Sequence, residues 1–278
     1  MSVEAPVRPR AQTGTSMSWT VSDALTVTRR NLIRYVRLPT LLVFSTIQPV
    51  MFVLLFRYVF AGAIGIPGPV DYVSFLMPGI FIQTVVFGST QTGVGLAEDL
   101  QHGMIERFRS LPMARSAVLA GRTISDTVRN LFVVLLMTGV GIAVGFRIHG
   151  GVLAILLALV LALMFGFAFS WISAYIGLSA GNVEAAQAGS FVWIFPLTFA
   201  SAAFVPVGSM PGWLQAWAKV NPVTITVEAM RALLLGSQRV QAIQGGTTAG
   251  LALETIAWIA GILVVFVPLS VWQYRKTA

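Results

Sequence analysis

The sequence predicts an all-α integral membrane protein with six transmembrane helices, and three observations predict it. Of the 278 residues, 56% are hydrophobic and only 10% charged, with a mean hydropathy of +0.82. A soluble core of this size cannot hide so much apolar surface. Six apolar runs, at 39–59, 73–95, 125–146, 152–178, 187–206 and 251–272, each come near the ~20 helical residues that cross about 30 Å of hydrocarbon. Finally, the cations gather beside particular runs, as they do where they set membrane orientation.

The first seventeen residues are rich in Pro, Ser, Thr and Arg, carry no apolar period, and predict a disordered N-terminal tail. They do not read as a signal peptide, since the first apolar run begins near Leu38 and no usual small-residue cleavage site follows it. Residues 18–38 place Val21, Leu25, Thr28, Leu32 and Tyr35 or Val36 along one helical side and Arg30, Arg34 and Arg37 along another. This is the pattern of an amphipathic helix on the inner leaflet, where each arginine near anionic lipid contributes about 1 kcal/mol. The transmembrane domain then occupies 39–278.

Orientation follows from the arginines. Arg8, Arg10, Arg29, Arg30, Arg34 and Arg37 precede the first run, Arg107, Arg109, Arg115 and Arg122 lie between the second and third, and Arg275 and Lys276 follow the sixth. The other side holds Arg57, Arg147, Lys219, Arg231 and Arg239, spread over longer loops. The bias predicts a multi-pass protein of the inner (plasma) membrane with both termini cytoplasmic.

Two further segments predict helices that do not span. In EDLQHGMIERFRSLPMARS, from Glu98, the residues Leu100, Met104, Phe108 and Leu111 fall on one face and Glu98, His102, Glu106 and Arg109 on the opposite one. Glu98 and Asp99 would stand at the positive end of this helix and Arg107 and Arg109 at its negative end, with Pro112 stopping it after Leu111. The pattern alone leaves two readings, a loop tiling the membrane surface or a docking element for a soluble partner. The stretch 205–236 is too apolar for a plain loop and too broken by Pro206, Pro211 and Pro222 for a span. Asn221-Pro222 reads as helix cap and first residue and Gly236 as the stop, giving short helices dipping into the outer side.

Several chemistries are excluded. There is no cysteine for a disulfide, thiolate metal site or nucleophile. His102 and His149, the only histidines, fall on opposite sides of the membrane in this topology, which argues against a metal site or a membrane enzyme. The 18 cations behind the net charge of +8 are arginines apart from Lys219 and Lys276 and belong to the membrane pattern rather than to nucleic-acid binding.

Within the runs polar groups are few. Gln83 and Gln91 bracket Phe87 at helical spacing, and Phe191, Phe195 and Phe199 share one face. Such a wall suits an amphipathic or lipid-like cargo. The bland alternatives are ordinary aromatic packing and glutamines that join neighbouring helices. Asp126 and Arg129 read as a pair near the membrane boundary, and Gly141 and Gly145 make a small-residue spacing too common to define an interface.

The run GVGLAEDLQHGMIERFRSLPMARSAVLAGRTISDTVRN resembles the loop between the second and third spans of ABC-2 type transport permeases. FPLTFASAAFVPVGSMPGWLQAWAKVNPVTITVEAMRALLLG is similar to the segment after their fifth span, in particular in the daunorubicin-resistance type. With the six-span plan, the resemblance covers about Trp19 to the C-terminus. It implies that Glu98–Pro112 is a coupling helix seated in an ATP-hydrolysing subunit. Glu98, Asp99, His102, Glu106, Arg107 and Arg109 would offer polar contacts there, and Leu111 and Pro112 would close the helix. Trp19–Arg37, with Arg29, Arg30, Arg34 and Arg37, would be the interface helix, and Pro211–Gly236 the outer re-entrant helices. It further implies two ATPase subunits that bind ATP and Mg, a second permease as homodimer or close heterodimer, and no cofactor on this chain.

The chain agrees with such a division, since it has no G-x-x-x-x-G-K-[ST] with which to cradle phosphates. The function expected is the permease subunit of an ATP-driven exporter of a hydrophobic or amphipathic cargo, a drug or a lipid. Export of glycolipid or polysaccharide is the alternative within the family. An ion-driven secondary transporter is less favoured, because no acidic residue is well placed at mid-membrane.

Overall fold

A computed structural model describes residues 17–37, 39–66, 68–104, 115–240 and 245–277. Among the described residues all regular secondary structure is helical, with ten α-helices in the order α1 (Met17–Arg37), α2 (Pro39–Leu55), α3 (Tyr72–Gln101), α4 (Arg115–Val144), α5 (Val152–Ala180), α6 (Val183–Phe199), α7 (Gly212–Val220), α8 (Pro222–Leu235), α9 (Ser237–Val240) and α10 (Thr248–Thr277). α2 runs on as a π-helical turn, Phe56–Phe60.

Local chemistry accounts for many of the boundaries. The Asp71 side chain accepts from Ser74 N at 3.1 Å to start α3, and Asn182 accepts from Ala185 N at 2.7 Å to start α6. Asn221 caps α8 through Val223 N at 2.8 Å, with Pro222 in the first turn and Gly236 at the end, as the Asn-Pro pair predicts. Gly181 ends α5 with φ +75°, a left-handed turn that a side chain would resist.

Among the described residues four helices are long and apolar enough to cross a membrane: Tyr72–Gln101, Leu119–Val144, Val152–Ala180 and Thr248–Lys276. α2 and α6, the first and fifth predicted spans, are 17 residues each. The fifth predicted run extends to residue 206, but α6 stops at Phe199. Pro196 lies in its last turn, and side chains from elsewhere take the carbonyls that a longer helix would have used. Asn221 Nδ2 donates to Leu197 O at 2.8 Å and Ala200 O at 3.1 Å, while Arg231 donates to Ala202 O and Ala203 O.

α3 is the central helix. In its apolar window 89% of residues are buried, against 22% in that of α10, so α10 offers its sides to the surroundings while α3 is sheathed by its neighbours. Its most extensive contact is with α5, where Ser89 and Gly93 meet Ser173 and Gly177. The two hydroxyl oxygens are 3.3 Å apart, and a Cβ on either glycine would overlap backbone of the facing helix. α10 packs on α5 and α8, α6 on α3 and α5, and α2 on α3 and α4.

Two expectations about α1 and the end of α3 are corrected. Glu98 and Asp99 form the last turn of α3 and do not open a separate helix. They therefore stand at the carbonyl end of the helix dipole, an unfavourable place for anions, which nearby arginines offset. In addition, the buried face of α1 is turned from the predicted side: Thr28, expected there, is buried, but Ala24, Val27 and Asn31 join it while Leu25 is 59% exposed. The reason is that α1 packs along α4, whose small and polar residues select Thr28 and Asn31 over leucine.

Candidate transport cavity

Where α3 passes between α2 and α6, a cavity of about 630 Å³ opens along its second half, within the range of small-molecule sites. α3 supplies Gln83, Thr84, Phe87, Gln91, Val94, Glu98 and His102; α2 supplies Gln48, Pro49 and Phe52; α6 supplies Glu184 and Phe191. α4 adds Arg122, Arg129, Asn130 and Val133, and α1 adds Asn31 and Tyr35.

Of the predicted pathway residues, Gln83, Phe87, Gln91 and Phe191 line this space. Phe195 and Phe199 lie beyond it and are partly exposed, at 45% and 40%, but they continue its aromatic wall. Phe87 meets Phe195 edge-on at 5.3 Å, and Phe195 stacks on Phe199 at 5.4 Å. Phe199 stacks on Phe204 at 5.2 Å, and Phe204 on Phe56 at 4.8 Å. The phenylalanines thus form one connected series from the cavity to the Tyr72 end of α3.

Gln83 is the most informative lining residue. It is 3% exposed, and neither its Nε2 nor its Oε1 has a hydrogen-bond partner among the described residues. A buried unpaired amide costs about 1–3 kcal/mol. Its place in the cavity wall means that a molecule entering there meets a donor and an acceptor in an otherwise apolar stretch.

Towards the Gln101 end the wall becomes ionic. Asp126, fully buried, accepts from Tyr35 Oη at 2.7 Å and Thr92 Oγ1 at 2.6 Å, and Arg122 Nε stands 3.7 Å from it. Arg122 also pairs with Asp99 at 3.8 Å, as does Arg30. Arg129 donates to Gly88 O at 2.6 Å and to Asn130 Oδ1 at 3.1 Å, with its guanidinium 5.7 Å from the centre of the Tyr35 ring. Asp126 therefore pairs with Arg122, one turn back, and not with Arg129 as the sequence suggested. Burial, with the Asp126 carboxylate beside it, pushes the Tyr35 hydroxyl up to about 12, so it keeps its proton and donates throughout the physiological range.

The remaining predicted site residues separate into two groups. Arg29, Arg30, Arg34 and Arg37 all fall in α1; Arg29 and Arg37 are exposed and Arg30 is half-buried. Glu98, Asp99 and His102 gather at the end of α3, where His102 Nδ1 lies 2.8 Å from Glu98 O. Glu106, Arg107, Arg109, Leu111 and Pro112 lie outside the described residues. Sequence reasoning missed Tyr35, Thr92, Asn130 and Arg231 as site or framework residues. The i,i+4 spacing of Arg122 and Asp126 could have signalled their pairing, but nothing in the sequence links Tyr35 to a carboxylate 91 positions away.

Long apolar helices around an internal amphipathic cavity define the class, a multi-pass membrane permease. The chain belongs to the ABC-2 type transporter family, whose model matches residues 23–235. It is 36% identical over 256 residues, 92% of this chain and 87% of the relative, to the daunorubicin resistance ABC transporter permease protein DrrB1 of Streptomyces coeruleorubidus. It is 25% identical over 259 residues, 93% of this chain and 90% of the relative, to the probable doxorubicin resistance ABC transporter permease protein DrrC of Mycobacterium tuberculosis. A putative transport permease, ycf38, of Cyanophora paradoxa is 26% identical over 219 residues, 77% of this chain and 74% of the relative.

Proposed function

We propose that this chain is the permease subunit of an ATP-driven exporter. The cavity takes up a hydrophobic or amphipathic molecule and passes it along the phenylalanine series to the outer face. The observation that carries the reading is the unpaired, buried amide of Gln83 in the aromatic wall of a 630 Å³ cavity, which suits a largely apolar cargo with a few hydrogen-bonding groups.

In this reading α2 and α6 complete six spans and both termini face the cytoplasm, in the inner (plasma) membrane. α7 and α8 are the outer re-entrant helices, and residues 98–112 couple to two ATPase subunits, which bind ATP and Mg. A second permease, identical or closely related, completes the membrane part. Two relatives are named for daunorubicin and doxorubicin resistance, so daunorubicin is the first cargo to test, with a glycolipid as the alternative within the family. An ion-driven mechanism gains no support from Asp126, because both carboxylate oxygens already accept hydroxyl donors.

Gln83→Leu keeps the volume and removes both hydrogen-bonding groups. Loss of a cargo hydrogen bond worth about 1 kcal/mol predicts a five- to tenfold weaker daunorubicin affinity, while the thermal midpoint of the purified protein holds or rises because the orphaned amide is gone. Unchanged affinity, measured by fluorescence quenching in detergent, would remove Gln83 from the cargo path.

Reversing charge at Glu106 or Arg107 is expected to abolish drug export and weaken co-purification of an ATPase subunit while leaving the permease folded. Survival of both properties after substitution of the whole 98–112 polar face would sink the coupling assignment.

A further inference from the structure

α1 meets α4 along a polar seam. Thr28 Oγ1 donates to Gly121 O at 3.1 Å, Asn31 Nδ2 to Ser125 Oγ at 3.2 Å, and Tyr35 Oη to Asp126 Oδ1 at 2.7 Å. Positions 28, 31 and 35 lie on one face of α1. At its last two contacts the seam becomes cavity wall, because Asn31 and Tyr35 line the cavity. Any movement of α1 away from α4 therefore changes the opening of that space.

Parting the seam strands one buried atom, Asp126 Oδ1. The Thr28 hydroxyl is also 2.8 Å from Ala24 O of its own helix, and the Ser125 hydroxyl donates to Arg122 O at 2.7 Å. Asp126 keeps Thr92 and Arg122 at Oδ2, whereas its Oδ1 accepts from Tyr35 alone among the described residues. The Tyr35 hydroxyl and the Asn31 amide give up their contacts across the seam, and both face the cavity, where water can take the place of the lost partner. Separation thus leaves the cost of a buried orphan on Asp126 Oδ1 alone, the atom that Tyr35 satisfies while the seam is closed. The ion pair between α1 and α3, Arg30 to Asp99, is long at 3.8 Å with its arginine side chain 39% exposed, so this pair adds little.

We propose that α1 parts from α4 along this seam during the transport cycle. Tyr35 is the positioning residue that latches the seam and closes the Gln101 end of the cavity. The inference rests on the cavity being the transport path, and its test separates the two.

The chain has no cysteine, so Leu25→Cys and Val128→Cys, at positions 59% and 42% exposed, provide two unique spin-labelling sites on α1 and α4. Pulsed electron paramagnetic resonance on the full chain in lipid nanodiscs is expected to give one short separation without nucleotide. A second, longer population should appear in the complex with its ATPase subunit trapped by ATP and vanadate.

Tyr35→Phe retains the ring and removes the partner of Asp126 Oδ1, so the closed seam loses its advantage and the longer separation should be populated without nucleotide or ATPase. Thr92→Val, which removes the α3 hydroxyl from Asp126 and spares the α1 contact, should not. A single unchanged separation in every state overturns the moving seam. A nucleotide-driven shift with Tyr35→Phe indistinguishable from wild type overturns the latch. Because the Tyr35→Phe measurement needs no ATPase, failure of an ATPase to associate counts against the proposed function and leaves this result standing.

Discussion

Arg231→Met is expected to destabilise the protein by roughly 3–5 kcal/mol, on the basis of about 1–3 kcal/mol for each buried carbonyl left unpaired. Arg231 is 2% exposed. Its Nε donates to Phe75 O at 2.9 Å, and one terminal nitrogen donates to Ala202 O at 2.6 Å and Ala203 O at 3.2 Å. Its guanidinium also lies over the Phe75 ring, 3.5 Å from the centroid. One side chain of α8 therefore ties the start of α3 to the segment that ends α6 and carries Phe204.

Methionine fills much of the volume but leaves three carbonyls to find new donors. Arg231→Lys should fall between, since an ammonium group can bond some of these carbonyls but cannot stack as a planar fork. Thermal unfolding of the detergent-solubilised protein checks the order wild type, Lys, Met. Should Arg231→Met unfold within 1 kcal/mol of wild type, the carbonyls must be satisfied in some other way and the structural role assigned to Arg231 is wrong.

Gly177→Val, or equally Gly93→Val, is expected to be the second most damaging change, costing ~3 kcal/mol or more as overpacking against backbone. At Gly177 an added Cβ would overlap the Gly93 carbonyl, and at Gly93 it would overlap that of Ser173. Backbone cannot swing aside as a side chain can, so α3 and α5 must move apart and lose the tight seam that also brings Ser89 to Ser173. In lipid this matters more than in water, because close packing and interhelical hydrogen bonds replace the hydrophobic effect as the cause of helix association. Gly177→Ala should show the same loss at smaller size, and Gly139→Ala, with nothing within 4 Å of the added carbon, should behave as wild type. Yield and thermal midpoint after solubilisation report all three.

Gly141 and Gly145 mark, by contrast with this pair, where helical spacing ceases to be informative. They carry the familiar four-residue repeat, yet Gly145 closes α4 with φ +111° and has open space around it, while Gly141 faces the flexible side chain of Met77. The tight crossing uses Gly93 with Gly177, each preceded four residues earlier by serine. Helical spacing marks a face, but it does not say which face meets which. The cavity was partly legible for the same reason. Gln83, Phe87 and Gln91 share a side of one helix and do line it, whereas Phe195 and Phe199 share a side with Phe191 but lie beyond it. Arg231 read only as an outer-side cation because its ligands are backbone carbonyls, which no side-chain pattern reveals.

Apolar run length, cation placement and helix caps such as Asn221-Pro222 are properties of a few neighbouring residues, so the amino-acid sequence by itself determined the helical membrane class and many helix boundaries. Only the tertiary structure decided that Asp126 takes Tyr35, Thr92 and Arg122 as partners, that α1 turns Asn31 rather than Leu25 inwards, and that α6 ends at Phe199 under Asn221 and Arg231. Many of these contacts join groups tens of residues apart or more, whose meeting is decided by the packing of whole helices and by the need of every buried polar group for a partner.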